Sequence, residues 1–149
     1  MNFIVAVDGS ESADRALEYA LSMVEPLGAT ITIVHSVEPH VVVEGGEEPI
    51  AGVPTSGDHI VVESLEDAEA RGEQVLEEAR AQATEAGVDS TSELLYGNPV
   101  DALTSYATTT GADGVFVGHR GISKQYEGLA GSVAKELVER ASCPVTVVR

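Results

Sequence analysis

At 149 residues with 43% apolar side chains, the chain has the length of one domain and can bury about two-thirds of its unfolded surface. Its 25 acids against 8 bases give a formal charge of −17, a surface that repels free nucleic acid and anionic membranes. No run of 18 apolar residues exists, so no segment reads as a membrane span, and the single cysteine, Cys143, excludes an internal disulfide.

The opening MNFIVAVDGS lacks a basic leader and meets an acid at Asp8. It reads as a first strand over residues 2–7 rather than a signal peptide, which implies a cytoplasmic protein. The run has no polar alternation, as expected of a strand covered on both faces. Asp8-Gly9-Ser10 ends it. Ala13, Leu17, Ala20, Leu21 and Val24 then recur at helical spacing, and Pro26 and Gly28 stop that helix. TITIVHSV, residues 30–37, is rich in β-branched side chains and reads as a second strand.

From Glu38 to His59 periodicity disappears, and Gly45, Gly46, Pro49, Gly52, Pro54 and Gly57 crowd the segment. A long mobile loop is expected there, leaving the second strand beside any pocket. Ser64 precedes a long helix reaching about Ala86, with Asp67 positioned for a capping box. Leu65, Ala68, Val75, Leu76, Ala79 and Ala83 mark its buried stripe, and Gly87 is a natural C-cap. The acids between Glu66 and Glu85 form the solvated face of this helix. With only two lysines in the chain, this acidity fits a host with a salty cytoplasm, where ions screen the self-repulsion.

TSELLY, 91–96, is a weaker third strand. Asn98-Pro99 is an N-cap followed by proline at the first helical position. Val100, Leu103, Tyr106 and Ala107 form the inner face of that helix, which Gly111 closes. GVFVG, 114–118, is the fourth strand. Ser132 to about Ala141 is a helix with Val133, Leu137 and Val138 facing inward, and PVTVV, 144–148, is the fifth strand. Cys143 lies in this apolar terminal run and reads as an inert thiol. Alternating strands and helices imply an open α/β fold, a five-stranded parallel sheet with helices on both faces, within a single domain, 1–149. Ligands of such sheets bind beyond the strand C-termini, where strand order reverses.

The segment GHRGISKQYEGLAGS, 118–132, carries the chemistry. Gly118 ends the fourth strand, Gly121 follows three residues later, and Gly131-Ser132 opens a helix. Glycines allow close backbone approach, and a helix start offers unpaired N–H groups and a positive dipole end, the combination that binds phosphate. Residues 118–135 hold Arg120, Lys124 and Lys135 against one acid, Glu127, so the stretch is net positive in a negative chain. The other reading is that these glycines only permit tight turns and close helix–strand packing. Neither G-x-x-x-x-G-K-[ST] nor G-x-G-x-x-G occurs.

Gly118, Gly121, Gly131 and Ser132 match G-x2-G-x9-G-[ST], and on this motif the chain resembles the universal stress protein family. IVAVDGSESADRAL, IVHSVEP, YGNPVDAL and CPVTVVR resemble other parts of the same family, so the likeness spans the chain. It implies the adenine-nucleotide α-hydrolase-like sheet of order 3-2-1-4-5 and the subclass that binds ATP. By position, the backbone of Val7 and the carboxylate of Asp8 would meet adenine and ribose. Ser36 would lie near the base and Val117 would line the adenine. Gly118, Arg120, Gly121, Gly131, Ser132 and Val133 would follow the ribose and phosphates. Asp8 has a second reading as a turn acid or helix cap.

The four histidines, His35, His40, His59 and His119, match no common metal spacing. His35 reads as a satisfied core histidine, and His119 as an exposed one or a phosphate contact when protonated. A magnesium ion could accompany ATP. No base or triad can be assigned to Ser10 or Ser132, which leaves three functions. The first is an ATP-binding sensor or regulator read by an unidentified protein partner. The second is a slow ATPase or phosphotransfer enzyme, and the third a structural stress protein. The last strand would be an apolar sheet edge, suited to pairing with a second copy in a homodimer; the alternative is a monomer whose edge is guarded by Pro144 and Arg149.

Overall fold

The computed structural model describes residues 1–44, 59–121 and 131–149. Strand β1, Asn2–Ala6, leads through a turn to helix α1, Glu11–Val24. A 3-10 turn over Glu25–Leu27 with Gly28 at φ +60° returns the chain to strand β2, Thr30–Val37. Strands β3, Val41–Glu44, and β4, His59–Val62, precede helix α2, Leu65–Glu85. Strand β5, Ser90–Tyr96, helix α3, Pro99–Thr110, strand β6, Gly114–Gly118, helix α4, Ser132–Arg140, and strand β7, Val145–Val148, complete the order.

The main sheet is ordered β5-β2-β1-β6-β7 and is parallel throughout. Counting only its own strands, that is the expected 3-2-1-4-5, with helices on both faces. Alternation along each strand sorts the core into two layers. Val5, Ile31, Ile33 and Phe116 pack with Leu17 and Leu21 of α1 and Leu76 of α2. Ile4, Val34, Val115 and Val117 pack with Val100 and Leu103 of α3 and Leu137 of α4. Burying one such Leu or Val contributes about 1.5–3 kcal/mol.

The caps read from the sequence are in place. Ser64 Oγ accepts the Asp67 N–H at 3.1 Å, and Asn98 Oδ1 accepts from Val100 and Asp101 at 3.0 and 3.2 Å. Two stripe residues differ. Leu65 is exposed, because it lies in the first turn of α2, ahead of the stripe that begins at Ala68. Val138 is 57% exposed, because Ala134 and Leu137 turn to the core and leave it on the outer flank of α4.

The expected loop over 38–59 is partly regular. β3 and β4 pair antiparallel, Val41 with Val62 and Glu44 with His59, as a two-stranded arm outside the main sheet. The valine-rich runs at 41–43 and 60–62 are short β-formers, obscured in the sequence by the Gly and Pro between them. Arg71 of α2 clasps the base of the arm. Its guanidinium donates to the Glu38 carbonyl at 2.9 Å and to both carboxylate oxygens of Glu63, while Glu63 accepts the His40 N–H at 3.2 Å. The rest of the expected loop, 45–58, lies outside the described residues.

Candidate functional site

β1 and β6 are neighbours whose crossover connections run to opposite sides, so the sheet reverses order between them. A cleft of about 1160 Å³ opens at the C-terminal ends of these strands. Each of its walls can be traced to a local cause.

The first wall is the turn after β1. Gly9 sits at φ +82°, a left-handed conformation that suits glycine. The N-cap of α1 is Ser10, whose hydroxyl accepts the Ala13 N–H at 3.1 Å. Asp8 is therefore not the cap. One of its oxygens accepts the Ser10 N–H at 2.9 Å. The other points across the cleft, 3.1 Å from where a Cβ on Gly121 would lie.

The second wall is the end of β2. In a parallel ladder, a residue sends its N–H and C=O to the same neighbour and successive residues alternate. Thr30 and Val34 bond to β1, at Met1 and Val7, whereas Ile31 bonds toward β5. By this parity Ser36 turns its N–H and C=O past the last rung with β1, into the gap where β1 has left the sheet. Its hydroxyl is also buried without a partner among the described residues. The main chain of Val7 is engaged within the protein: its N–H donates to Val34 at 2.9 Å, and its C=O accepts from His35 Nδ1 at 2.8 Å, which takes one of the two lone pairs of that oxygen.

His35 is buried beneath α2, where Gly72 makes room for the ring. A Cβ there would lie 2.7 Å from His35 Cδ2 and 2.9 Å from Leu94 Cδ2. Since a carbonyl only accepts, Nδ1 carries the hydrogen. Nε2 is left without a partner among the described residues. His35 is thus a core histidine satisfied at one nitrogen only.

The third wall is the glycine segment, and its glycines differ. A Cβ on Gly118 would lie 2.6 Å from both the carbonyl carbon and Oγ of Ser12. Here close packing of α1 on β6 demands glycine. Gly131 has φ −58° and ψ 152°, which any residue adopts, and a Cβ there would meet its nearest neighbour at 3.4 Å. Among the described residues, neither conformation nor packing demands glycine at 131. What its missing side chain does is leave the N-terminus of α4 open.

Ser10, Ser64 and Asn98 cap α1, α2 and α3, whereas α4 has no side-chain cap among the described residues. The Gly131 N–H is engaged by the His119 carbonyl and its C=O accepts from Lys135. The amides of Ser132, Val133 and Ala134, the first turn of α4, have no acceptor among the described residues. All three residues line the cleft, as do Arg120, Gly121 and Lys135. Arg120 Nε is buried and unpaired among the described residues. Lys124 and Glu127 lie outside those residues.

The structure thus brings Val7, Asp8, Ser36, Val117 and Gly118 to one cleft with Arg120, Gly121, Gly131, Ser132 and Val133. Arg71, and Pro99 and Leu103 of α3, which were legible only as helix residues, also line it. They arrive through the packing of α2 and α3 on β2 and β5, and no local motif marks them. His119 is half-buried rather than exposed. Its ring bonds Ser12 Oγ at 3.3 Å, and burial first, then Arg120, Arg149 and Arg15, push its pKa below the usual histidine value. Among the described residues, no three His, Cys, Asp or Glu side chains gather as a metal site, and no helix is long and apolar enough to cross a membrane.

The model of the universal stress protein family matches residues 1–149. The universal stress protein YxiE of Bacillus subtilis is 31% identical over 146 residues, covering 98% of this chain and 97% of its own. The UspA protein of Lactobacillus plantarum superposes with a TM-score of 0.77 at 19% identity, covering 100% and 97% of the two chains. A universal stress protein solved in complex with cAMP superposes at 0.71 with 26% identity, covering 100% and 97%. Two others, from Arabidopsis thaliana and Archaeoglobus fulgidus, were solved with AMP and dAMP, each at 22% identity.

Proposed function

The chain belongs to the universal stress protein family, and on that premise we propose that it binds an adenine nucleotide, ATP, in this cleft and presents the occupied state to a protein partner. The observation that carries the reading is the bare N-terminus of α4. Three amides without acceptors, the cationic Arg120 and Lys135, and a glycine that neither conformation nor packing requires among the described residues face one cleft. Oriented amides at a helix start favour phosphate. The relative solved with cAMP supports the ligand class.

The cleft divides by chemistry. Ser36 offers a main-chain donor beside an acceptor, the complement of a purine edge with a ring nitrogen next to an amine, while Val117 supplies an apolar wall. Asp8 is placed for ribose hydroxyls, with one carboxylate oxygen held by the Ser10 amide and the other aimed inward. Gly121, Gly131, Ser132 and Val133 follow the phosphates, with Arg120 and Lys135 for charge. ATP ordinarily brings Mg²⁺ on its own phosphates, and Asp8 is the carboxylate nearest that path. The reading is of binding rather than turnover. Phosphate release from ATP that disappears in Asp8→Ala would instead establish the enzyme.

Dimerisation is part of the proposal. β7 has β6 on one side only, its side chains are half-exposed, and the exposed Val138 lies on α4, which packs on β7. A two-fold copy paired with this edge would cover all of them.

The test is thermal unfolding with ATP, AMP or buffer, with and without Mg²⁺. Ligand at 100-fold over its Kd stabilises a one-site protein by about 2.7 kcal/mol, roughly 5–10 °C for a chain of this size. Gly131→Val should fold and lose the shift. An equal shift in wild type and Gly131→Val would remove the α4 N-terminus from the site, and no shift with any adenine nucleotide would end the reading.

A further inference from the structure

Of the eight basic residues of this acidic chain, Arg15, Arg120 and Arg149 lie near enough to His119 to act on its charge, and of these three only Arg120 lines the cleft. The His119 N–H donates to the Val148 carbonyl at 2.8 Å, which sets the residue beside the end of β7 and Arg149. Its ring reaches Ser12 Oγ at 3.3 Å, and the same oxygen accepts the Arg120 N–H at 3.3 Å. Arg15 follows Ser12 by three residues on α1, so it rises from the same helix face. Among the described residues none of Arg15, Arg120 and Arg149 forms an ion pair, whereas Arg71 and Arg140 do. The nearby acids of α1 do not answer them. Glu11 stands one turn before Arg15 without pairing, and the charges acting on Asp14 are Glu78, Asp8 and Glu11.

We propose that Arg15, His119, Arg120 and Arg149 form a binding site for a phosphoryl anion behind the glycine segment, sharing Arg120 with the nucleotide cleft. Ser12 Oγ accepts from the Arg120 amide and also bonds His119 Nδ1, which ties the ring and Arg120 to one corner. Burial first, and then Arg120, Arg149 and Arg15, push the His119 pKa down. The site offers an imidazole beside three forked cations, groups that suit phosphate oxygens. A small, charge-dense anion fits better than a large polyanion, which the surrounding charge of −17 would repel.

The phosphoryl group has two sources, a free polyphosphate or the terminal phosphates of a nucleotide seated in the cleft. Only the second rests on the proposed function. The experiment measures Kd for tripolyphosphate, AMP and ATP in one chloride buffer, on wild type and on the double variant Arg15→Gln/Arg149→Gln. The His119 ring nitrogens are followed by NMR. Neither substituted residue lines the cleft. Wild type should bind tripolyphosphate with a shift of the His119 signals, and the double variant should bind it about tenfold more weakly, with AMP affinity unchanged. ATP weakened in parallel identifies the nucleotide tail as the source; ATP unchanged identifies free polyphosphate. Equal tripolyphosphate affinity in the two proteins, or His119 signals that do not move, overturns the proposal. Failure of AMP and ATP to bind wild type, with the tripolyphosphate result intact, defeats the nucleotide reading and leaves this site standing.

Discussion

Replacing Gly118 by alanine puts a methyl carbon 2.6 Å from the Ser12 carbonyl carbon and Oγ and 2.7 Å from its carbonyl oxygen. Ordinary contact begins near 3.5 Å, so a gap of roughly 0.8–0.9 Å has to open. Two of the three atoms are backbone, and no rotamer can move them aside. The first turn of α1 must back away from β6, stretching the bonds from Ser12 Oγ to His119 and Arg120, each already 3.3 Å. Overpacking of this kind costs about 1–3 kcal/mol, and the lower unfolded-state entropy of alanine offsets about 0.4–1 kcal/mol. The expected net loss is about 1–2 kcal/mol, a fall in Tm of roughly 2–8 °C, read by thermal or urea unfolding at fixed salt. Gly131→Ala is the matched control, because its Cβ meets only ordinary contacts at 3.4–3.7 Å. Its stability should stay within about 0.5 kcal/mol of wild type. A Gly118→Ala protein as stable as wild type would refute the argument that packing, rather than ligand approach, demands that glycine.

Gly72→Ala should destabilise by about 1–3 kcal/mol, since its Cβ collides with His35 and Leu94; a neutral result in urea unfolding would mean that the His35 ring has room to move. Arg71 holds the Glu63 carboxyl below its ordinary value of 4.5, chiefly through their hydrogen bond. A carboxyl depressed on folding adds stability above the unfolded pKa, and that gain is lost as pH falls through the folded one. The gap in stability between wild type and Arg71→Ala should therefore be full above about pH 4.5 and narrow below it; a gap that does not change with pH would exclude this pair as its cause. Burial first, and then Asp113, push the Cys143 thiol up. Iodoacetamide at pH 7 should label it well below the rate of a free thiol, and rapid labelling of the folded protein would contradict its placement. The charge of −17 predicts that Tm falls as KCl is lowered from molar to millimolar concentrations; a flat profile would sink the reading of a salt-adapted chain.

The fold was legible because its signals are local. Unbroken apolar runs gave buried strands, Ser64 and Asn98 gave helix starts, and Gly28 and Gly111 gave ends. The same locality explains the misses. Val138 lies on the apolar side of its helix by periodicity, yet only the position of β7 decides that it faces outward. The arm was hidden because two runs of three valines and isoleucines carry little weight beside clustered glycines and prolines. At the site, the glycine spacing identified the right segment but could not apportion its duties. Gly118 answers to Ser12, over a hundred residues earlier, and Gly131 to nothing within the described residues. The main-chain groups of Val7 and Ser36 make a similar point. Which main-chain groups remain unpaired depends on where one strand stops against another, and no run of residues records that.

The clasp at the base of the arm has a consequence for engineering. β2 and α2 are joined through Arg71, Glu38 and Glu63 before the chain departs into β3 and after it returns from β4. The parallel sheet thus has its continuity secured independently of whatever is spliced between those strands. A reporter peptide or a whole foreign module grafted there would hang from a stem that already closes on itself. Its stem would start from Glu38, His40 and Arg71, which line the cleft, so that ligand arrival is felt at the root of the graft while the host sheet goes on folding as before.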